Sequence, residues 1–79
     1  MLIKLYTIKG CHDCASVKEY LDKNNIKYTE IDADLNLKET TNVMDIVRSN
    51  SLPILLYDED SIIGYDKDNL DKFLKLYNN

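Results

Sequence analysis

Proline, histidine and phenylalanine each occur once in these 79 residues, and glycine and cysteine twice each. With so little proline and glycine, and 44% hydrophobic residues, the chain is neither a fibrous repeat nor a disordered tract. Long apolar runs are also missing. The longest, Leu52 to Tyr57, contains Pro53 and falls far short of the roughly 20 residues of a membrane-crossing helix. There is no basic stripe. Ten Lys and Arg against fourteen Asp and Glu leave a net charge of −4, with a pI near 4.7. A polyphosphate backbone or an anionic bilayer is repelled by such a surface, so nucleic acid and membrane are excluded as partners. The N-terminal stretch has Lys4 among its apolar residues and no small-residue cleavage site, so a cytoplasmic protein without a signal peptide is expected.

The expected organisation is one domain over residues 1–79, with a thin core: a chain this short buries only about 60% of its unfolded surface. Leu2 to Ile8 reads as a strand broken by Lys9-Gly10, and Cys14 to Asn24 as a helix with Cys14, Val17 and Leu21 on one stripe. Ile26 to Ile31 reads as an edge strand, and Leu37 to Ser49 as a second helix with Thr40, Val43, Met44 and Val47 on one face. Pro53 to Tyr57 and Ser61 to Ile63 form a hairpin around Asp58-Glu59-Asp60. Asp66 suits the N-cap of a last helix whose buried stripe is Leu70, Phe73, Leu74 and Tyr77. The order β-α-β-α-β-β-α predicts a parallel first pair of strands, joined by a right-handed crossover, and an antiparallel last pair. Tyr6, Tyr20 and Tyr28 are expected to pack rather than to act.

The two cysteines are Cys11 and Cys14. Cross-link stabilisation grows with the length of the loop it closes, so a bridge here would staple almost nothing. A pair this close exists for chemistry or for metal. Cys11-His12-Asp13-Cys14 lies between the first strand and the first helix, where free backbone N–H groups and the helix dipole favour negative charge. A thiolate at Cys11 is stabilised there, and its pKa is expected below the free-thiol value of about 8.5. Cys14, one turn on, points toward the core. In the redox reading, Cys11 attacks a substrate disulfide and Cys14 then resolves the mixed disulfide. His12 would favour the thiolate if protonated, or is simply an exposed polar residue. Lys9 is a substrate contact or a solvated loop lysine. The competing reading is a soft-metal or iron–sulfur protein using the same thiolates, two chains supplying four ligands. Asp32, Asp34 and Asn36 imitate a calcium loop, but Leu37 stands where glycine is required and Val43 where the closing Glu belongs, so calcium is excluded.

Leu5-Tyr6-Thr7 leading into the two cysteines, Ser51-Leu52-Pro53 before a strand, and Gly64-Tyr65-Asp66-Lys67-Asp68-Asn69-Leu70 opening the last helix resemble the glutaredoxin and NrdH-redoxin family. The resemblance covers nearly the whole chain. It implies an α/β, thioredoxin-like fold: a four-stranded mixed sheet flanked by three helices. It implies a monomeric thiol–disulfide oxidoreductase with no bound cofactor or metal. Such a protein would donate electrons to cytosolic enzymes with disulfides and be reduced by glutathione or a thioredoxin reductase. It also implies a groove. Pro53 would be a cis-proline facing Cys11, the backbone of Leu52 would pair with an incoming peptide or glutathione, and Gly64, Tyr65 and Asp66 would form the far wall. Tyr65 could instead cover the edge of the core. Typical glutaredoxins carry Cys-Pro-Tyr-Cys, and a lysine where this chain has Ile8, one position before Lys9. The segment after Gly64 lies closer to the Gly-Phe-x-Pro-Asp of NrdH-redoxins.

Overall fold

Alternation along the first strand sets the architecture. Ile3 and Leu5 point to one side of the sheet and Tyr6 to the other, and all three are buried, so this strand must be covered on both faces. The computed structural model describes residues 1–79 and shows this arrangement. Its elements are β1 (Ile3–Thr7), α1 (His12–Lys23), β2 (Thr29–Asp32), α2 (Leu37–Val47), β3 (Ile54–Tyr57), β4 (Asp60–Ile63) and α3 (Lys67–Tyr77). The strands lie in the order β2-β1-β3-β4 in one four-stranded sheet. β1 runs parallel to β2 and antiparallel to β3, and β3 is antiparallel to β4. The mixed sheet with three helices, and β2 at its edge, agree with the sequence reading.

Two apolar layers sandwich the sheet. On one face Ile3, Leu5, Leu55 and Ile62 meet Val17 and Leu21 of α1 and Leu70 and Phe73 of α3. On the other, Tyr6 and Ile54 meet Val43 of α2, with Met44 and Val47 packed alongside. The three tyrosines expected to pack do so, and each hydroxyl finds a carboxylate. Tyr6 donates to Glu39 at 2.7 Å, Tyr20 to Asp71 at 2.6 Å and Tyr28 to Asp22 at 3.2 Å. The first two contacts fasten β1 to α2 and α1 to α3.

Several boundaries differ from the sequence reading, each for a local reason. The first strand is shorter at both ends, since Leu2 and Ile8 lie beyond the ladder and are exposed. α1 starts at His12 rather than Cys14, because Cys11 itself is the N-cap. The second strand begins at Thr29, not Ile26. Asn25 adopts a left-handed φ of 57°, its N–H reaches the Asp22 carbonyl at 3.2 Å, and the Ile26 N–H reaches the Leu21 carbonyl at 3.0 Å. Ile26 is thus the apolar residue that closes a Schellman motif, buried but outside the strand. α2 ends at Val47, not Ser49, because Arg48 turns left-handed at φ 58°. Pro53, with no N–H, stands just before β3. In the hairpin Tyr57 pairs with Asp60, so Asp60 belongs to β4 and the turn is Asp58-Glu59, with Asp58 at φ 50°.

No helix is long and apolar enough to cross a membrane.

Candidate active site

β1 ends at Thr7, and Gly10 turns the chain at a φ of 76°, a conformation that a side chain disfavours. Cys11 then caps α1 from an extended backbone (φ −93°, ψ 110°), and its Sγ accepts the Cys14 N–H at 3.1 Å. A sulfur does here what a serine or aspartate oxygen does at most helix starts. Cys11 and Cys14 are joined in a disulfide, with Cα atoms 5.2 Å apart. The two sulfurs are unequal in access: Cys11 is half-buried, whereas Cys14 is 2% exposed and joins the buried stripe of α1.

The Cys11 Sγ also lies 3.9 Å from the Leu52 carbonyl oxygen. The Leu52–Pro53 peptide bond is cis, and the Pro53 ring is fully buried. The Pro53 carbonyl in turn accepts the Gly64 N–H at 2.8 Å, with Gly64 at a φ of 73°. A chain of contacts thus runs from Cys11 through Leu52 and Pro53 to Gly64, although the sequence separates them by up to 53 positions.

The remaining residues singled out from sequence lie outside this chain of contacts. Lys9 and His12 are exposed. Tyr65, 42% exposed, lines a recess of about 440 Å³ with Ser16, Tyr20 and Lys67, on the flank between α1 and α3. Asp66 caps α3: one carboxylate oxygen accepts the Asn69 N–H at 3.1 Å and the other the Asn69 side-chain amide at 2.7 Å. No three His, Cys, Asp or Glu side chains are gathered so as to hold a metal ion.

Sequence reasoning missed a second recess, of about 240 Å³, on the β2 side of the dithiol. Thr7, Lys9, Cys11, Cys14, Lys18, Glu30 and Asp32 help line it. The buried Thr7 hydroxyl donates to Glu30 at 2.7 Å, and the Lys18 ammonium stands 3.2 Å from the same carboxylate. A signal for it existed in the β-α-β order, because parallel strands bring their C-terminal ends together beside the start of the crossover helix.

A family model described as Glutaredoxin matches residues 3–62. The Gene 56 protein of Mycobacterium phage D29 is 32% identical over 76 residues, covering 95% of this chain and 84% of that protein. An uncharacterised glutaredoxin-like 8.6 kDa protein in the rubredoxin operon of Clostridium pasteurianum is 27% identical, covering 94% of this chain and 99% of that one. Among solved structures, the glutaredoxin-like protein NrdH-redoxin from Escherichia coli superposes with a TM-score of 0.80 at 21% identity, over 91% of this chain and 93% of that one.

Proposed function

The chain belongs to the glutaredoxin family and is a thiol–disulfide oxidoreductase, and on that footing we propose that it donates electrons to cytosolic enzymes by reducing disulfides through Cys11 and Cys14. The observation that carries this reading is the Cys11 sulfur at the N-cap of α1, 3.1 Å from the Cys14 N–H, with the second sulfur buried one turn below it. In the reduced protein that N–H and the helix dipole favour a thiolate at Cys11. The thiolate attacks one sulfur of a substrate disulfide, and the other sulfur leaves with the electron pair. Cys14 then attacks Cys11, breaking the mixed disulfide and forming the bridge.

Leu52 and Gly64 offer the surface on which the substrate backbone lies, with the buried Pro53 packed beneath them as its support. The Leu52 carbonyl beside the sulfur supports this role, since an extended peptide laid there meets a backbone acceptor next to the reacting atom. Tyr65 and Asp66 extend that surface, while Lys9 and His12 meet the substrate from the exposed rim. The family is reduced by glutathione or by a thioredoxin reductase.

The test is an insulin- or mixed-disulfide-reduction assay run separately with each reductant. Turnover is expected with at least one of them and should vanish in Cys11→Ser. In Cys14→Ser a mixed disulfide with the substrate should accumulate. A Cys11→Ser variant as active as wild type would overturn the proposal.

A further inference from the structure

We propose that a trough on the α2 side of the sheet is an interface at which two copies of this chain pair about a twofold axis, in place of the monomer that the family resemblance implies. Alternation along β1 puts Leu2, Lys4 and Tyr6 on the α2 side. α2 packs on Tyr6 and on Ile54, its neighbour in β3. The next pair along the same two strands, Lys4 and Leu56, lies beyond that contact and lines two adjoining recesses. The larger, of about 650 Å³, is flanked by Leu35, Leu37 and Lys38. The smaller, of about 250 Å³, is flanked by Leu2 and Asp58. Lys4 and Leu56 belong to both, so the two recesses make one trough.

This face carries projections as well as hollows. Leu2, Leu35 and Leu37 are 69%, 82% and 66% exposed, three of the eight large apolar residues left in water. Large apolar side chains gathered around a hollow mark a surface that binds protein. The two ends also differ in charge. Lys38 stands at one and Asp58 at the other, and neither has an ion-pair partner.

A surface with a free cation at one end and a free anion at the other is complementary to itself turned end for end. A uniformly acidic or basic partner would satisfy one end and be repelled by the other, so a second copy is the occupant that fits. A twofold axis near Lys4 and Leu56 lays Leu35 and Leu37 against the partner's Leu2, and Lys38 against the partner's Asp58. The same contacts recur in reverse. Lys4 lies 3.7 Å from Glu39, which also accepts from Tyr6 at 2.7 Å, so neither charge meets its symmetry mate bare. Cys11, Cys14, Leu52, Pro53 and Gly64 line neither recess, and the pairing leaves both dithiols open to substrate.

Analytical ultracentrifugation from roughly 5 to 500 µM tests the pairing, in excess reductant to exclude a disulfide-linked pair. The average mass of wild type should climb from 9.2 kDa toward twice that value. Leu37→Asp, at an exposed first-turn position where an acidic residue suits the helix, should stay at 9.2 kDa throughout. Lys38→Glu and Asp58→Lys should each weaken self-association about tenfold, since each homodimer then sets like charges together. An equimolar mixture of these two variants should dimerise as well as wild type, because each chain then meets the opposite charge at both ends. Asp58 has a left-handed φ of 50°. Leu37→Asp therefore decides alone if Asp58→Lys fails to fold. Wild type that stays at 9.2 kDa, a dimer indifferent to Leu37→Asp, or a mixture no better than either folded variant would overturn the proposal.

Discussion

The Cys11 sulfur and the Cys14 backbone nitrogen lie 3.1 Å apart, so the same atom that caps α1 is one half of the redox pair. Reduction therefore leaves the sulfur facing an N–H that stabilises its anion, while Cys14 stays in the core. Iodoacetamide applied to the reduced protein at pH 6 should label Cys11 and spare Cys14, as read by peptide mass mapping. Equal labelling of both would contradict the asymmetry.

A second cap starts α3. Asp66 uses both carboxylate oxygens on Asn69, holding the first turn of α3 closed. Asp66→Ala should lower unfolding stability by about 1 kcal/mol, whereas Asp66→Asn, an equally good cap, should lower it by no more than a few tenths. Urea midpoints at constant m decide between the two.

Burial and neighbouring carboxylates make tyrosines the main alkaline liability. Tyr20 is pushed up to about 12 by burial first and then by its bond to Asp71. Tyr28 is pushed up to about 12 by burial and Asp22. Tyr6 is also raised, by burial and Glu39. The folded chain thus holds these protons more tightly than the unfolded chain does. Stability from this source is intact below pH 10 and falls as pH climbs from about 10 to about 12, because the unfolded state binds fewer protons there. Absorbance near 295 nm at pH 11 should report fewer tyrosinates in the folded protein than in urea, and the urea midpoint should drop between pH 9 and pH 11.

Phe73 is the only phenylalanine, fully buried and in contact with two other rings. Its centroid lies 4.6 Å from that of Tyr57 and 6.1 Å from that of Tyr77. Phe73→Ala should cost about 3–5 kcal/mol. That is a large share of the roughly 5–15 kcal/mol typical of a native protein. Circular dichroism melts should show a large drop in midpoint, or loss of the transition.

What could be read from sequence was whatever depends on local spacing. The stripes Cys14-Val17-Leu21 and Leu70-Phe73 are buried as their periods imply, and the placing of Cys11 between β1 and α1 followed from the same signals, whereas Cys14 lies inside the helix. The errors came where two local rules compete. Ile26 carries the apolar signature of a strand, but the helix ahead of it needs an apolar residue to close its Schellman turn, and that demand wins. The Thr7–Glu30–Lys18 cluster was hidden because it depends on the register between β1 and β2 and on which face of the sheet α1 crosses. The cis bond at Pro53 entered only through the family resemblance, since most bonds to proline are trans.

A hinge that must open and shut over a working lifetime should not tug on the frame that carries it. The sulfur bridge here ties positions three apart on one helical turn, and no other element of the fold. Opening that bridge frees no second element of the scaffold, so a partner that tells the spent form from the charged one has the sulfurs themselves to feel for.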